Sequence, residues 1–493
     1  MAPRIAIVGA GFAGLGMAIR LKQAGIESFT IFERAAEVGG TWRENTYPGC
    51  VCDVPSHLYS FSFAQNPEWT RAYSPQPEIE AYLLRCRDEF GLRPHIRFGT
   101  EIAEMRFDPT SLTWRLQTHA GETLEADVVV NATGPLSRVS IPEIPGLDGF
   151  EGTVFHSAQW RHDHDLSGER VAVIGTGASA IQIVPEIAPV ASRLHVFQRT
   201  APWIVPRRDR AFRPFERFLF RNVPGVQRAY RWGIYLLQEL GAPLFLGRGF
   251  LSRLAETGAR RFIRAQVSDG ALRARVTPDY AIGCKRILIS NDWYPALQRE
   301  NVELVTDGIA CVRAHSIATR DGREREVDTI ILATGFAATD FLAPMKVFGR
   351  TFAELSDSWK SGAATHLGIS VAGFPNFFLL VGPNTGLGHN SILFMIEAQV
   401  RYVLQAIQHL SRARIDALDL REEVQAAAYH DVQTRMKNTV WQSGCKSWYQ
   451  SADGRNDTLW PGFTFDYWWR TRRFVPSAFR ALTRAGQPGA APR

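Results

Sequence analysis

The sequence predicts an α/β protein with two Rossmann-like dinucleotide-binding domains, because it contains two sets of repeated motifs. Two stretches, RIAIVGAGFAGLGMAIRL from Arg4 and RVAVIGTGASAIQIVPEI from Arg170, each combine a short β-branched run, several glycines and a helical pattern. Two further apolar runs, VVVNATG up to Gly134 and TIILATGF around Gly335, contain the same ATG tripeptide. Small residues at a strand end let the backbone approach a ligand, so we interpret both runs as returning strands of the two sheets.

The order of these motifs predicts the domain organisation. A chain of 493 residues is long enough for two to three domains. We expect the first dinucleotide-binding domain in residues 1–145 and 335–493, and the second in residues 146–334. Residues 205–275 are rich in Phe, Arg, Leu and Trp, which predicts a helical insertion in the second domain. We favour a helical lid packed on the core for this insertion. The alternative is a peripheral contact with a membrane surface or a role in substrate access.

Composition and charge exclude several other classes of protein. The chain is 45% hydrophobic and 21% charged, which is typical of a globular protein and excludes wholesale disorder. The net charge of +7 is small and comes without a basic tail or an RNA-binding signature, so we expect no nucleic-acid partner. There is no secretory signal pattern and no run of 18 apolar residues, so the expected location is the cytoplasm. The oligomeric state cannot be read from the sequence.

The six cysteines are scattered and do not indicate a disulfide framework. No zinc-binding spacing such as CxxC…CxxC or HExxH is present, so we expect no metal site. We interpret Cys50, Cys52 and Cys284 as small buried hydrophobic residues. Their oxidation near a reactive site is the alternative.

The first glycine motif, GAGFAG from Gly9, has the spacing GxGxxG. Gly9 permits a tight turn, Gly11 lets a pyrophosphate approach, and Gly14 allows close packing of helix on strand. The strand pattern SFTIFE ends in Glu33, whose carboxylate can hold ribose hydroxyls and would repel a 2′-phosphate. We therefore assign FAD to this motif.

The second motif, GTGASA from Gly175 to Ala180, has alanine at its third position, a common variation in NADP sites. The following strand pattern, SRLHVFQRT, ends in Arg199 and Thr200. A cation and a hydroxyl at this position suit the 2′-phosphate of NADPH. The first motif has an acid, Glu33, at the corresponding position. The two sites thus have opposite charge, and we expect FAD and NADPH to bind separately.

Two longer fingerprints carry a resemblance to a known family. Residues 150–160 read FEGTVFHSAQW and match FxGxxxHxxxW, although Arg161 follows where the family has Pro or Asp. Residues 40–53 read GTWRENTYPGCVCD and match GxWxxxxYPGxxxD. On these motifs the chain resembles the class B flavoprotein monooxygenases of the Baeyer–Villiger (type I) family, over nearly its whole length.

The resemblance implies an activity. The expected reaction uses FAD, NADPH and O2 to insert one oxygen atom next to the carbonyl of a small hydrophobic ketone, through a C4a-peroxyflavin, giving an ester or lactone. NADP+ is expected to stay bound through turnover. Oxygenation of sulfides or amines by the same flavin is the alternative. Trp160 favours the ketone reaction, because the resemblance places Phe or Tyr there in the members that oxygenate nitrogen or sulfur.

The resemblance also implies site residues. GCKR at 283–286 resembles a loop in which Lys285 and Arg286 face both cofactors, and SWY at 447–449 resembles a loop whose tryptophan, Trp448, closes over NADP. Arg286 is the candidate catalytic residue, because a permanently charged guanidinium stabilises a peroxide anion and the tetrahedral adduct.

Asp53 is expected to hold Arg286 by a charge-assisted bond, a structural salt bridge being the alternative. For His156 we favour a hydrogen bond at an interdomain hinge over a role as catalytic base. The full set of expected cofactor-binding residues is Gly9, Gly11, Gly14, Glu33, Gly40, Thr41, Trp42, Asp53, Tyr59, Ile102, Thr176, Gly177, Ala178, Ser179, Ala180, Gln182, Arg199, Thr200, Lys285, Arg286 and Trp448.

Overall fold

The computed structural model describes residues 2–247, 249–445, 447, 449–451 and 453–484. Within them the strands are β1 (Ile5–Val8), β2 (Phe29–Phe32), β3 (Ile96–Arg97), β4 (Ile102–Asp108), β5 (Thr113–Thr118), β6 (Thr123–Ala126), β7 (Val128–Asn131), β8 (Thr153–His156), β9 (Arg170–Ile174), β10 (Arg193–Phe197), β11 (Ile204–Val205), β12 (Leu288–Ile289), β13 (Val302–Val305), β14 (Ile309–Arg313), β15 (Ser316–Thr319), β16 (Glu324–Glu326), β17 (Thr329–Leu332), β18 (Lys346–Phe348), β19 (Phe377–Leu379), β20 (Ala417–Leu420) and β21 (Phe479–Leu482).

The helices of the same residues connect and flank these strands. They are α1 (Phe12–Gln23), α2 (Thr41–Glu44), α3 (Gln76–Glu89), α4 (Ala180–Ile187), α5 (Pro214–Asn222), α6 (Val226–Glu239), α7 (Phe250–Gln266), α8 (Gly270–Val276), α9 (Trp293–Leu297), α10 (Leu355–Ser358), α11 (Ile392–Ala413), α12 (Glu422–Met436) and α13 (Thr464–Thr471). None of them has the length and apolar character needed to cross a membrane in the part of the chain that the structure describes.

Two five-stranded parallel sheets form the centre of the molecule. The first has the order β19-β7-β1-β2-β3 and the second the order β13-β10-β9-β17-β8. In the first sheet β1, which leads into the glycine motif, lies between β2 and β7. In the second sheet β9 lies in the same way between β10 and β17. Both β7 and β17 lead into an ATG tripeptide. Parallel strands covered on both faces read as continuous apolar runs, and β1, β7 and β17 are buried at every position. The predicted α/β fold with two Rossmann-like sheets is confirmed.

Two short strands, β11 and β12, pair in parallel just before and just after helices α5 to α8 in the chain. Ile204 and Val205 of β11 pair with Leu288 and Ile289 of β12, and the helices occupy the chain between these strands. The ladder sets the position of the residues just before β12, which include Lys285 and Arg286. The domain boundaries near residues 145 and 335 stay a prediction.

Smaller sheets complete the fold. Strands β4, β5 and β6 form an antiparallel meander that β18 joins in parallel, and β14, β15 and β16 form a second meander. Strands β20 and β21 pair antiparallel near the C-terminus. The long helix α11 packs along α1, the helix that follows the first glycine motif. This contact brings the C-terminal half of the chain back onto the first sheet.

Candidate active site

The first glycine motif has the geometry of a pyrophosphate cradle. Gly9 has a φ of +103° and a Cβ there would lie 2.8 Å from the carbonyl oxygen of Ala132, so the turn requires glycine. A Cβ on Gly14 would lie 1.9 Å from the carbonyl oxygen of Gly9, which explains the close packing of α1 on β1. Gly11, at the N-cap of α1, has no protein atom closer than 3.7 Å to such a Cβ. The three predicted roles therefore correspond to three different local geometries, and the helix N-terminus is open to an anion.

Glu33 lies at the end of β2 and is held in a fixed orientation. One carboxylate oxygen accepts a hydrogen bond from the backbone N–H of Ala10 at 2.8 Å, and the other accepts one from Ala35 at 2.9 Å. The side chain is buried and lines the cavity described below. A carboxylate fixed in this way presents its remaining lone pairs to ribose hydroxyls and disfavours a second negative charge.

The second glycine motif repeats this geometry. Gly175 has a φ of +118° and its Cβ position would lie 2.4 Å from the carbonyl oxygen of Ala333, the counterpart of the contact between Gly9 and Ala132. Nothing lies within 4 Å of a Cβ on Gly177, so the backbone is open there. Ala180 is buried behind the loop as the first residue of α4.

Positive charge gathers at the end of β10. Burial, and then the charge of nearby Arg199, lower the pKa of Lys285. The Lys285 ammonium also lies 4.8 Å from the centre of the Tyr280 ring. The backbone carbonyl of Thr200 accepts a hydrogen bond from the Thr176 hydroxyl at 3.3 Å, which ties the strand end to the glycine loop. Two cations, Arg199 and Lys285, therefore lie close together on the wall of the cavity that contains the second glycine loop.

Arg286 and Asp53 form an ion pair, as the sequence predicts. The Nε of Arg286 donates to a carboxylate oxygen of Asp53 at 2.9 Å, and a terminal nitrogen of the guanidinium donates to the same oxygen. The Asp53 charge raises the pKa of Arg286, against the effect of burial. The side chains keep 34% and 29% exposure, because both face the cavity. The pair thus presents a permanent, oriented positive charge to whatever occupies that space.

One continuous cavity of about 1810 Å³ joins both glycine loops to this ion pair. Trp42 and Tyr59 form one part of its wall, where the indole N–H donates to the Tyr59 hydroxyl at 3.0 Å. The predicted site residues that line it are Gly9, Gly11, Glu33, Gly40, Thr41, Trp42, Asp53, Tyr59, Ile102, Thr176, Gly177, Ala178, Ser179, Gln182, Arg199, Thr200, Lys285 and Arg286. Gly14 and Ala180 lie behind the loops, and Trp448 lies outside the described residues.

Gln182, a predicted site residue, connects the loop of residues 47–51 to helix α4. The Gln182 amide of α4 donates to the carbonyl of Val51 at 3.0 Å and accepts from the Tyr47 hydroxyl at 3.1 Å. Gly49 lies against the same helix, since a Cβ there would be 2.8 Å from the Gln182 carbonyl oxygen. His156 ends β8, is buried, and accepts a hydrogen bond from the Ala158 N–H at 3.1 Å. The contacts of Gln182 and Gly49 thus join the 47–51 loop to α4, the helix that follows the second glycine motif.

Comparison with known proteins shows which family the chain belongs to. A family described as flavin-binding monooxygenase-like matches residues 2–228. A Baeyer–Villiger monooxygenase from Streptomyces coelicolor is 49% identical to this chain and covers 98% of it, over 93% of its own length. The chain belongs to the Baeyer–Villiger monooxygenase family.

Solved structures share the fold of this Baeyer–Villiger monooxygenase over almost its whole length. Oxidised steroid monooxygenase bound to NADP is 33% identical, with a TM-score of 0.86 over 98% of this chain and 100% of that one. A complex of OTEMO with FAD and NADP is 27% identical, with a TM-score of 0.87 over 96% and 97% of the two chains. The resemblance drawn from the two fingerprints is confirmed.

The residues of this Baeyer–Villiger monooxygenase fit two dinucleotides. Each glycine loop leaves its middle glycine open, and each leads into a helix whose N-terminus faces the cavity. The buried acid Glu33 follows β2 of the first sheet. The cation Arg199 follows β10 of the second sheet, and Lys285 lies close to Arg199. FAD fits the first loop and NADPH the second on this difference in charge.

The prediction for one cysteine is wrong. Cys284 forms a disulfide with Cys445, with the two Cα atoms 6.3 Å apart and 161 residues between them in sequence. A Cα distance in this range permits a bridge without backbone movement. Cys50 and Cys52 are free and buried, as predicted, and burial raises the pKa of Cys50 to about 11. The bridge therefore ties the loop of Lys285 and Arg286 to the C-terminal segment.

Sequence reasoning missed Tyr449. Its side chain is buried beside Arg286, whose charge partly offsets the increase in the Tyr449 pKa that burial causes. Tyr449 packs in a cluster with Cys284, Phe245 and Trp441, which joins the helical segment, the arginine loop and the C-terminal segment. The motif SWY contained this tyrosine, but only its tryptophan received a role from the resemblance.

Proposed function

We propose that this Baeyer–Villiger monooxygenase inserts one oxygen atom of O2 next to the carbonyl of a hydrophobic ketone, giving an ester or lactone. Its cofactors are FAD and NADPH. The observation that carries the proposal is the ion pair of Arg286 and Asp53 on the wall of a cavity shared by two dinucleotide cradles. The names of the relatives support the same reaction class.

FAD, once reduced by NADPH, supplies the activation of O2. The role of Arg286 is to place a fixed positive charge where negative charge develops on oxygen during attack on the carbonyl. A guanidinium suits this role because it stays protonated and does not quench an anion by giving up a proton. Asp53 acts as a positioning residue, since it orients the guanidinium through the bond to Nε.

The nucleotide cations have a separate role. Arg199 and Lys285 bind the 2′-phosphate and make NADPH the preferred reductant over NADH. Because Lys285 is adjacent to Arg286 in sequence, a bound phosphate also fixes the catalytic loop. This arrangement supports retention of NADP+ through turnover, in which Trp448 is expected to close over the nucleotide.

Exclusion of water is the third requirement, since water entering the site would release the activated oxygen as hydrogen peroxide. Tyr449 lies beside Arg286, and Leu459, Leu387 and Ile392 line the same cavity. Tyr449 and Leu459 are about 1% exposed. Apolar groups beside the Arg286–Asp53 pair lower the local dielectric constant, which strengthens the field of the guanidinium. The same wall favours a hydrophobic substrate.

The test separates reduction from oxygenation. Arg286→Ala and Arg286→Lys are mixed anaerobically with NADPH, then exposed to air with a panel of linear, cyclic, aryl and steroid ketones. Arg286→Ala is expected to keep most of the rate of flavin reduction, to lose at least about a hundredfold in product formation, and to release hydrogen peroxide instead, consistent with loss of one charged transition-state contact. Arg286→Lys is expected to lie between it and the wild type.

The control is Arg193→Ala, which removes an arginine of β10 that does not line the cavity. It should keep normal product yield. An unchanged ester or lactone yield from Arg286→Ala would remove Arg286 from the reaction. Oxygenation of a thioether by the wild type, with no ketone converted, would replace the ketone proposal with sulfide oxygenation.

A further inference from the structure

Helix α6 buries two charged side chains and exposes several large apolar ones. Arg231, Tyr235 and Glu239, spaced by four residues, lie on one stripe of the helix and are buried. The stripe beside it carries Trp232, Leu236 and Leu240, which are 59%, 57% and 74% exposed. A helix that packs on a protein core normally has the reverse arrangement. The exposed stripe is therefore not the core-facing side of the helix.

The buried stripe is held in place by specific contacts, so α6 cannot simply rotate to hide its apolar side. The Arg231 guanidinium donates to three carbonyl oxygens of one loop, those of His57, Leu58 and Ser60. Buried charges that lose such partners destabilise a protein strongly. The orientation of α6 follows from this guanidinium.

The other end of the buried stripe is fixed as well. Glu239 accepts hydrogen bonds from the Asn390 amide at 2.7 Å, and from the backbone N–H of Thr464 at 2.6 Å and its hydroxyl at 2.8 Å. The hydroxyl of Tyr235 lies 3.0 Å from that of Thr464. Because both ends of the buried stripe are fixed, the apolar stripe of α6 faces solvent.

Neighbouring elements extend this apolar surface. Helix α5 packs on α6, and α7 packs on the turn that follows α6. The exposed residues that form what we call the outer apolar face are Phe215 and Phe218 of α5, Trp232, Leu236, Leu237 and Leu240 of α6 and its C-cap, and Phe250, Leu251 and Leu254 of α7. Large contiguous apolar patches on the surface of soluble proteins mark interaction sites.

The helical segment that carries the outer apolar face is strongly basic in sequence. Residues 205–275 contain 15 arginines, no lysine and five acidic residues, so this segment carries a net charge of +10 in a chain whose total is +7. Arg261 and Arg264 follow Phe250 by 11 and 14 residues, which places them on the same stripe of α7. Arg228 precedes Trp232 by four residues on α6. These three arginines are exposed, and no ion pair to any of them is found among the described residues.

We propose that the outer apolar face of α5, α6 and α7 docks on the surface of a lipid bilayer that contains anionic lipids. Aromatic and leucine side chains at the centre enter the interface, while the surrounding arginines meet the headgroups. Each basic residue near such a surface adds to the attraction. A second copy of this chain would bring an equally positive face, so its charge opposes self-association.

The test is sedimentation of the full-length, FAD-loaded enzyme with vesicles. One set contains phosphatidylcholine with phosphatidylglycerol and the other contains phosphatidylcholine alone. The enzyme is expected to bind the anionic vesicles at least about tenfold more strongly, and the difference should shrink as salt is raised to about 0.5 M. Equal binding to both sets, or no binding to either at low salt, would overturn the proposal.

Two variants assign the binding to this face. Leu236→Gln/Leu240→Gln removes apolar contacts, and Arg261→Gln/Arg264→Gln removes charge; each is expected to weaken anionic-vesicle binding about tenfold or more. The matched controls alter exposed residues elsewhere, Val190→Gln/Phe352→Gln and Arg299→Gln/Arg412→Gln, and should bind as the wild type does. FAD content and NADPH oxidation without vesicles should be unchanged in all four.

The sedimentation coefficient without lipid distinguishes a second copy from a membrane. The wild type and the Leu236→Gln/Leu240→Gln variant are expected to have the same oligomeric state. A wild-type dimer that the variant dissociates, together with unchanged vesicle binding, would overturn the membrane proposal and assign the face to a second copy of the chain.

Discussion

Lys285 has two cationic neighbours, Arg286 in sequence and Arg199 in space. Burial and the Arg199 charge make its protonated form less favourable than that of a free lysine, which is why its pKa is lowered. A phosphate placed between Lys285 and Arg199 would relieve this repulsion. A bound phosphate would offset the cost of holding the two cations together, and this would favour the 2′-phosphate of NADPH over the plain ribose of NADH.

The lowered pKa gives a prediction for cofactor choice. Because Lys285 loses its proton at a lower pH than a free lysine, the KM for NADPH is expected to rise as the pH increases on the alkaline side. Lys285→Arg should remove this rise, since a guanidinium stays charged. The KM for NADH should change little with pH in either protein. Steady-state measurements with both reductants between roughly pH 7 and pH 10 provide the test.

Arg199→Ala is the companion variant. Loss of one charged hydrogen bond to phosphate is expected to raise the KM for NADPH by roughly ten- to a hundredfold and to leave that for NADH nearly unchanged. Equal effects of this variant on the two reductants would show that Arg199 does not contact the 2′-phosphate. A pH-dependent KM that persists in Lys285→Arg would assign the titration to another group.

At the scale of elements, the sequence predicted where strands and helices lie better than how they face. The run IAIV is buried at all four positions of β1, and periodicity suffices to find such a strand. Periodicity does not give the orientation of α6, because the partners of its buried charged residues lie far away in the chain. Arg231 bonds to residues 57–60 and Glu239 to Asn390 and Thr464. A local pattern does not contain such partners, so the sequence could not show which side of α6 faces the core.

The disulfide between Cys284 and Cys445 was also out of reach of sequence reasoning. Neither residue belongs to a spaced pair, and 161 residues separate them. Its effect depends on the elements it joins: Cys284 precedes the catalytic loop, and Cys445 follows the turn of Val440 and Trp441. The bridge lies within the apolar cluster that contains Tyr449, so it holds the wall next to Arg286 in place.

Cys445→Ser therefore gives a prediction at this scale. Without the bridge, the C-terminal segment is expected to move more freely, so water reaches the site and more hydrogen peroxide forms per NADPH consumed. The midpoint of thermal unfolding should fall, because closing a long loop contributes about 2–4 kcal/mol. Peroxide yield with saturating ketone, and the unfolding midpoint, are the two measurements.

Cys311→Ser is the matched control, since Cys311 is free and lies in β14. It should match the wild type in both measurements. Treatment of the wild type with a mild reductant should reproduce the effect of Cys445→Ser. If neither the variant nor the reductant increases peroxide release, the bridge has no part in closing the site.

At the scale of the whole molecule, repetition made the fold predictable. The two glycine motifs give each sheet the same central arrangement, and the charge at the end of β2 and of β10 is enough to propose different cofactors for them. The meeting of Arg286 with Asp53 is different, because 233 residues separate them. No spacing rule predicts that contact, and it was expected only because both residues end motifs of a resembling family. The distance between Arg286 and Asp53 depends on how the two sheets pack together, and this packing cannot be read from the sequence.

Two buried histidines make the stability of the whole molecule sensitive to acid. Burial, and then the charge of Arg231, lower the pKa of His57 to about 4, and burial lowers that of His366 to about 4. In the unfolded chain both titrate near pH 6.5. Between these values the unfolded state binds more protons than the folded one, so the free energy of unfolding decreases as the pH falls. Each histidine accounts for up to about 3 kcal/mol of this loss.

Thermal unfolding between pH 7 and about pH 4.5 is the measurement, and its slope matters more than any single midpoint. The midpoint should change little above pH 7 and fall steadily below pH 6.5, where only the unfolded state gains protons. His366→Gln and His57→Gln should each flatten this slope even if they lower the midpoint at neutral pH, because glutamine does not titrate. His430→Gln, which alters an exposed histidine of α12, should keep the wild-type slope. A slope that stays the same in both buried variants would mean that other groups, such as paired carboxylates, cause the loss of stability in acid.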